Sequence, residues 1–141
     1  LSHKIAAIAP VAGTLATTQP CKPSRAVPIL HIHSKLDAKV PYGGGTGIFG
    51  YYFPPVEDGL NTWLKNDGCN STTKTVTTFA NYTLTKWANC SNNSSIEFYF
   101  TNDGGHSWLG GLHSRVAADE PSTAINANDL IWDFFQKYQL P

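Results

Sequence analysis

The chain has 141 residues, in which 10 Lys and Arg are set against 10 Asp and Glu. That is enough chain to bury a core, and with only 14% of residues charged it offers no clustered basic surface for nucleic acid. No apolar run approaches the roughly 20 residues of a membrane-spanning helix; polarity comes from uncharged Thr, Asn, Ser and Gly, as in CNSTTKTVTTFANYT (69–83), a surface common in secreted proteins.

In chain order, Ile5–Val11 reads as a buried strand, an apolar run closed by Pro10 and Gly13. The chain holds no methionine and opens on LSHKIAAIAPVAGTL, with neither a start residue nor a signal peptide, so it is expected to be cut from something longer. A second strand, Ala26 to about His33, leads into the polar loop SKLDAKVPYGGGTG (34–47). A helix from Pro54 to about Asn66 places Val56, Leu60, Trp63 and Leu64 on one face and stops at Gly68. Three strands follow, Thr73–Phe79, Tyr82–Trp87 and Ile96–Thr101, the first two forming a hairpin. After a long loop from Asn102 to about Ile125, the last helix spans Ala127–Tyr138, capped by Asn126 and burying Leu130, Ile131, Phe134, Phe135 and Tyr138. This order predicts part of an α/β sheet, with an unfilled edge on the side where the chain begins.

The three cysteines are Cys21, Cys69 and Cys90. The latter two flank the strand-rich region, and an odd total leaves one over. Asn70, Asn81, Asn89, Asn92 and Asn93 each begin an N-x-S/T glycosylation sequon. A disulfide together with sequons favours an exported protein.

Several motifs carry candidate chemistry. His31 and His33 alternate and so share a face of the second strand; an H-x-H pair can bind zinc, with Asp37, His106 or His113 completing a set. No Cys or Glu stands at a metal-like interval, and histidines hydrogen-bonded beside the sheet are the adopted reading, with no metal or organic cofactor. GTGIFG (45–50) formally fits G-x-G-x-x-G, but a loop separates it from the strand, and Pro54 and Pro55 precede the helix, so it reads as a glycine-rich surface loop. Asp37 follows the end of a buried strand, where functional residues of open α/β sheets gather, although alone it reads as a turn-stabilising aspartate. His106 sits in TNDGGHSWLGG (101–111), a loop framed by glycines after a later strand.

Acid after one strand, histidine after a later strand, then a final helix is the second half of the Ser–Asp–His order of α/β-hydrolases. There the carboxylate holds one imidazole nitrogen while the other takes and returns the serine proton. Asp103 is the rival acid, but three residues from His106 it is expected to shape the turn. No serine in the chain has the G-x-S-x-G surroundings of a nucleophile elbow. Ser107 adjoins His106 itself, and Ser34 shares its loop with Asp37. The nucleophile is therefore expected before Leu1.

SHKIAAIAPVAGTL (2–15), CKPSRAVPILHIHSKLDAKVPYGGG (21–45), GGHSWLGG (104–111) and NANDLIWDFFQKY (126–138) resemble, in order, the successive motifs of the secreted polyhydroxybutyrate-depolymerase and feruloyl-esterase-like α/β-hydrolases. The resemblance runs over almost the whole chain and implies the C-terminal part of a single such domain: parallel core strands, an inserted hairpin and a C-terminal helix. It implies that Asp37 is the triad acid, that His106 is the base with Trp108 beside a substrate site, and that Cys69 and Cys90 form the disulfide clamping the inserted strands. Ser34 and Lys35 replace the usual Gly-Thr type pair without moving the acid. Leu109 stands where a proline is usual, a change expected to loosen the loop. The implied activity is hydrolysis of feruloyl or hydroxyalkanoate esters, with the serine, the first strands and the oxyanion-hole amides preceding Leu1; the chain alone is then expected to be inert. Tyr42, Tyr51 and Tyr52 are candidates for an aromatic acyl pocket or for ordinary core. The competing expectation is a non-catalytic module that binds polysaccharide or polyester through exposed aromatics. Cys21 is expected to pair with an upstream cysteine.

Overall fold

The computed structural model describes residues 1–140. In chain order its elements are β1 (Ile29–Ser34), a two-stranded ribbon of β2 (Gly45–Thr46) and β3 (Tyr52–Phe53), α1 (Val56–Asn66), β4 (Lys74–Thr78), β5 (Tyr82–Trp87), β6 (Ile96–Thr101) and α2 (Ala127–Phe135). The main sheet has the order β1-β6-β5-β4. β1 and β6 run parallel, while β6–β5 and β5–β4 are antiparallel. The protein is thus a mixed α/β domain. The parallel core expected from the sequence is present only in part, as one regular pair.

Alternation along β1 and β6 divides the apolar residues between two faces. Ile29, Ile96 and Phe98 pack against Val56, Leu60 and Leu64 of α1. Leu30, Ile32 and Tyr99 pack against Leu109, Ile125, Ala127 and Phe134 on the α2 side. Each helix seals one face, so the sheet is the middle of three layers. α2 begins where Asn126 Oδ1 accepts a hydrogen bond from Asp129 N–H, the cap expected from the sequence. It ends at Phe135 rather than Tyr138. Phe134 is buried as expected, whereas Phe135 is exposed and Leu130, Ile131 and Tyr138 are half-buried.

The strand expected at Ile5–Val11 does not form as a regular strand. It lies alongside β1 but forms only two isolated parallel bridges, Ile8 to Ile29 and Val11 to Ile32. Pro10 has no N–H to give the ladder, and the backbone leaves the strand at Ala12 with φ of 50°. Ile8, Pro10 and Ala12 direct their bonds at β1: Ile8 N–H to Pro28 O, Leu30 N–H to Ile8 O, Ile32 N–H to Pro10 O and Ala12 N–H to Ile32 O. Ala7, Ala9 and Val11 face the other way, and among the described residues no backbone bond meets them there. This edge of the sheet is open.

Cys69 and Cys90 form the disulfide, joining the chain after α1 to the chain after β5. It closes the base of the β4–β5 excursion. The bridge fits an oxidising, extracellular setting; Cys21 has no disulfide partner among the described residues. All five sequon asparagines are exposed. Among the described residues no helix is long and apolar enough to cross a membrane.

The cysteines lie 21 residues apart, and closing a loop of that size constrains the unfolded chain by about 3 kcal/mol. Replacing both with serine is expected to lower the unfolding free energy by about that amount in urea titrations, and a loss below about 1 kcal/mol would contradict this role for the bridge.

Candidate functional site

The register of β1 and β6 places Ser34 directly beside Thr101. Both strands therefore end at the same level, and the loops that follow leave the same edge of the sheet side by side. Lys35 N–H reaches across to Thr101 O at 2.9 Å. One loop carries Asp37, the other His106.

Asp37 is 3% exposed, and its carboxylate is fully engaged. Oδ1 accepts hydrogen bonds from the backbone N–H groups of Lys39 (2.9 Å) and Val40 (2.8 Å). Oδ2 accepts one from His106 Nδ1 at 2.8 Å. The turn-stabilising role and the pairing role are thus carried by different oxygens of one residue. A carboxylate cannot donate, so Nδ1 bears a proton, and the imidazole in its neutral form presents its lone pair at Nε2. The His106 side chain is 32% exposed, and Nε2 makes no hydrogen bond among the described residues. This is the tautomer and the orientation that a general base requires.

The glycines before His106 answer to close packing. Gly104 has φ of +70°, and a Cβ there would stand 2.3 Å from Ser122 N; one at Gly105 would stand 2.6 Å from Asp119 Cβ. The segment 119–122 thus lies directly on the loop. Asp103 holds that segment rather than the histidine: it accepts from Ser122 Oγ (2.6 Å) and Thr123 N–H (2.9 Å). Burial opposes its ionisation, but the Ser122 and Thr123 bonds outweigh it and keep the carboxyl below its ordinary value. Ser34, buried at the end of β1, donates to the carbonyl of Gly104 (2.5 Å) or Asp103 (2.9 Å). Ser107 donates to Asp119 O at 2.5 Å. Both hydroxyls are committed to loop carbonyls.

Leu109 does not loosen the loop. It is 1% exposed, packs with Ile125 and Phe134, and its carbonyl accepts from Ala127 N–H at the start of α2. Trp108 stands beside it, 47% exposed, its indole donating to Asn128 Oδ1 at 3.0 Å. His106, Ser107 and Trp108 line a cavity of about 170 Å³ together with Val11 and Ala12. Two larger clefts, of about 470 and 540 Å³, lie by the N-terminal segment and α1 and share no residue with it. Of the candidate tyrosines, Tyr42 packs on Phe98 and Phe100 beside α1, whereas Tyr51 and Tyr52 stand exposed around the β2–β3 ribbon. None of the three lines the His106 cavity.

Asp119, Lys39 and Ser34 hold the two loops together, and for Asp119 and Lys39 no sequence pattern signals it. Asp119 accepts from the His106 backbone and from Lys39 across 80 residues of chain, inside a segment with no periodicity to register it.

His31 and His33 do share a face, their rings stacked at 5.8 Å. His33 Nε2 donates to Val40 O at 2.9 Å and lies 3.8 Å from Asp37 Oδ2, but His33 Nδ1 and His31 Nε2 are buried without partners. His113 bonds instead to Ala118 O and Glu120. Among the described residues no group of three or more His, Cys, Asp or Glu is arranged to hold a metal ion. Residues 45–50 form the β2 ribbon and a short 3-10 turn rather than opening a helix.

The chain matches no protein-family model and no curated protein.

Burial, and then repulsion from His33, push the His31 imidazole down to about 3. The unfolded imidazole binds a proton below about pH 6.5, the folded one only near pH 3, so its contribution is complete above that range and lost as pH falls. Asp67 acts oppositely: burial holds its carboxyl up at about 6, so acid favours its folded form between its ordinary value and that point. Comparing variants at equal pH cancels Asp67. His31→Phe is expected to remove a slope of about 1.4 kcal/mol per unit between about pH 6 and 4; urea curves whose spacing is independent of pH would contradict this.

Proposed function

We propose that this chain supplies the acid and the base of an extracellular serine carboxylic-ester hydrolase of the feruloyl-esterase or polyhydroxyalkanoate-depolymerase type, with its serine on polypeptide preceding residue 1. The observation that carries the reading is the 2.8 Å bond from His106 Nδ1 to a buried Asp37, with His106 lining an open cavity.

In this reading Nε2 takes the proton of the incoming serine as its oxygen adds to the ester carbonyl. Asp37 stabilises the imidazolium so formed. His106 then returns the proton to the leaving alcohol, giving an acyl-enzyme, and repeats the cycle with water to release the acid. Asp37 does not itself become protonated; its other oxygen stays on the Lys39 and Val40 amides throughout.

Three observations support a serine from outside the chain. The sequence contains no elbow serine. Ser34 and Ser107, the serines nearest the pair in sequence, are bonded to carbonyls. The cavity lies between His106 and Ala12, at the end of the segment whose Ala7, Ala9 and Val11 amides lack partners, which leaves room for a further strand there. The Cys69–Cys90 bridge and the exposed sequons fit an exported enzyme. A binding module is favoured by one feature, the exposed Phe49, Tyr51 and Tyr52 at the ribbon, but that reading leaves the Asp37–His106 pair without a purpose.

A serine-directed fluorophosphonate followed by intact-mass analysis tests the proposal. The isolated 141-residue chain is expected to gain no mass. Polypeptide that includes the preceding segment is expected to be labelled on a serine there, and His106→Ala is expected to abolish the label. A label on any serine of residues 1–141, or none on the longer polypeptide, overturns the reading.

A further inference from the structure

Besides Asp37, one other carboxylate touches His106. Asp119 Oδ2 accepts from the His106 backbone N–H at 2.7 Å, and Oδ1 accepts from Lys39 Nζ at 2.9 Å. Lys39 in turn gives its backbone N–H to Asp37 Oδ1 at 2.9 Å. These contacts close a ring: Asp37 to His106 through the imidazole, His106 to Asp119 through the backbone, Asp119 to Lys39 through the ion pair, and Lys39 back to Asp37. The bond from Lys39 and then that from His106 hold the Asp119 carboxyl below its ordinary value.

We propose that Asp119, acting with Lys39, is a positioning residue for the acid–base pair, fixing the backbone of His106 so that its ring meets Asp37 with Nε2 free. The inference rests on the reading of Asp37 and His106 as that pair. Without the Asp119 carboxylate the His106 N–H loses its partner, and the backbone at the histidine is held only through its neighbours, by Gly105 N–H on Glu120 O and the Ser107 hydroxyl on Asp119 O. Asp119 is shaped to the task. Its side chain sits on Gly105, its carbonyl takes the Ser107 hydroxyl, and the flanking Glu120 O accepts from Gly105 N–H at 3.0 Å. Lys39 anchors the carboxylate to the acid's own turn and so ties the two loops together.

Exchange of the His106 Nδ1 proton with water, followed by NMR on the imidazole-labelled chain, reads this directly and needs no serine. Losing a charge-assisted bond from the backbone is expected to speed that exchange about tenfold in Asp119→Ala. Lys39→Met frees only the partly exposed end of the carboxylate and is expected to speed it about threefold. Asp119→Asn keeps an acceptor for the His106 N–H and is expected to recover most of the protection. Unchanged exchange in a folded Asp119→Ala overturns the proposal; where that variant does not fold, unchanged exchange in Lys39→Met does so. A wild-type chain that shows no hydrogen-bonded Nδ1 proton instead overturns the underlying pair.

Discussion

The parallel pairing of β1 with β6 is the constraint on which the rest of the molecule depends. Ile29, Ile32 and Ile96 are wholly buried in it, and its register ends with Ser34 beside Thr101. Parallel strands need a long crossover, here α1 and the β4–β5 hairpin, with the disulfide closing the excursion where it returns. Because both strands run the same way and stop at the same level, their following loops must share one edge. A slip of one residue would turn Leu30 and Ile32 away from α2 and part the loops that carry Asp37 and His106.

At that edge the polar side chains of the two loops are bonded to backbone groups and to one another. Both oxygens of Asp37 are bonded, and Ser34, Asp103 and Asp119 each tie one loop segment to another. The exception within the pair is His106 Nε2, the atom that the proposed chemistry needs vacant. The contrast lies on the side toward α1, where His31 Nε2, His33 Nδ1, Asp67 Oδ2 and Trp87 Nε1 are buried without partners among the described residues. Unpaired buried atoms cost stability, and burial shifts His31 and Asp67 in opposite directions. The face toward α1 is thus electrostatically the less settled one.

Much of this was legible in the sequence, and for identifiable reasons. The existence of α1 and α2, though not the end of α2, follows from helical spacing of large apolar residues, the hairpin from alternation, and the Asn126 cap from its side chain. Asp37 and His106 were legible only as a pair, because each alone has an ordinary explanation in a turn or a loop. The strand at Ile5–Val11 was overestimated because apolar content does not report that Pro10 lacks a donor and that only one side of the segment is paired. A departure from a motif at Leu109 says nothing of its burial against Phe134, which makes it an anchor. Asp119 and Lys39 left no trace, since an ion pair between two irregular loops has neither period nor fixed spacing.

The proposed chemistry turns on His106 acting as a base oriented by Asp37. Steady-state ester hydrolysis by the proposed longer polypeptide, with Asp37→Asn against wild type, tests that most directly. The amide keeps the size of the carboxylate but cannot hold the protonated Nδ1 tautomer, so kcat is predicted to fall about 10⁴-fold with KM little changed. A kcat within about tenfold of wild type would contradict the assignment of Asp37 and His106 as the catalytic pair.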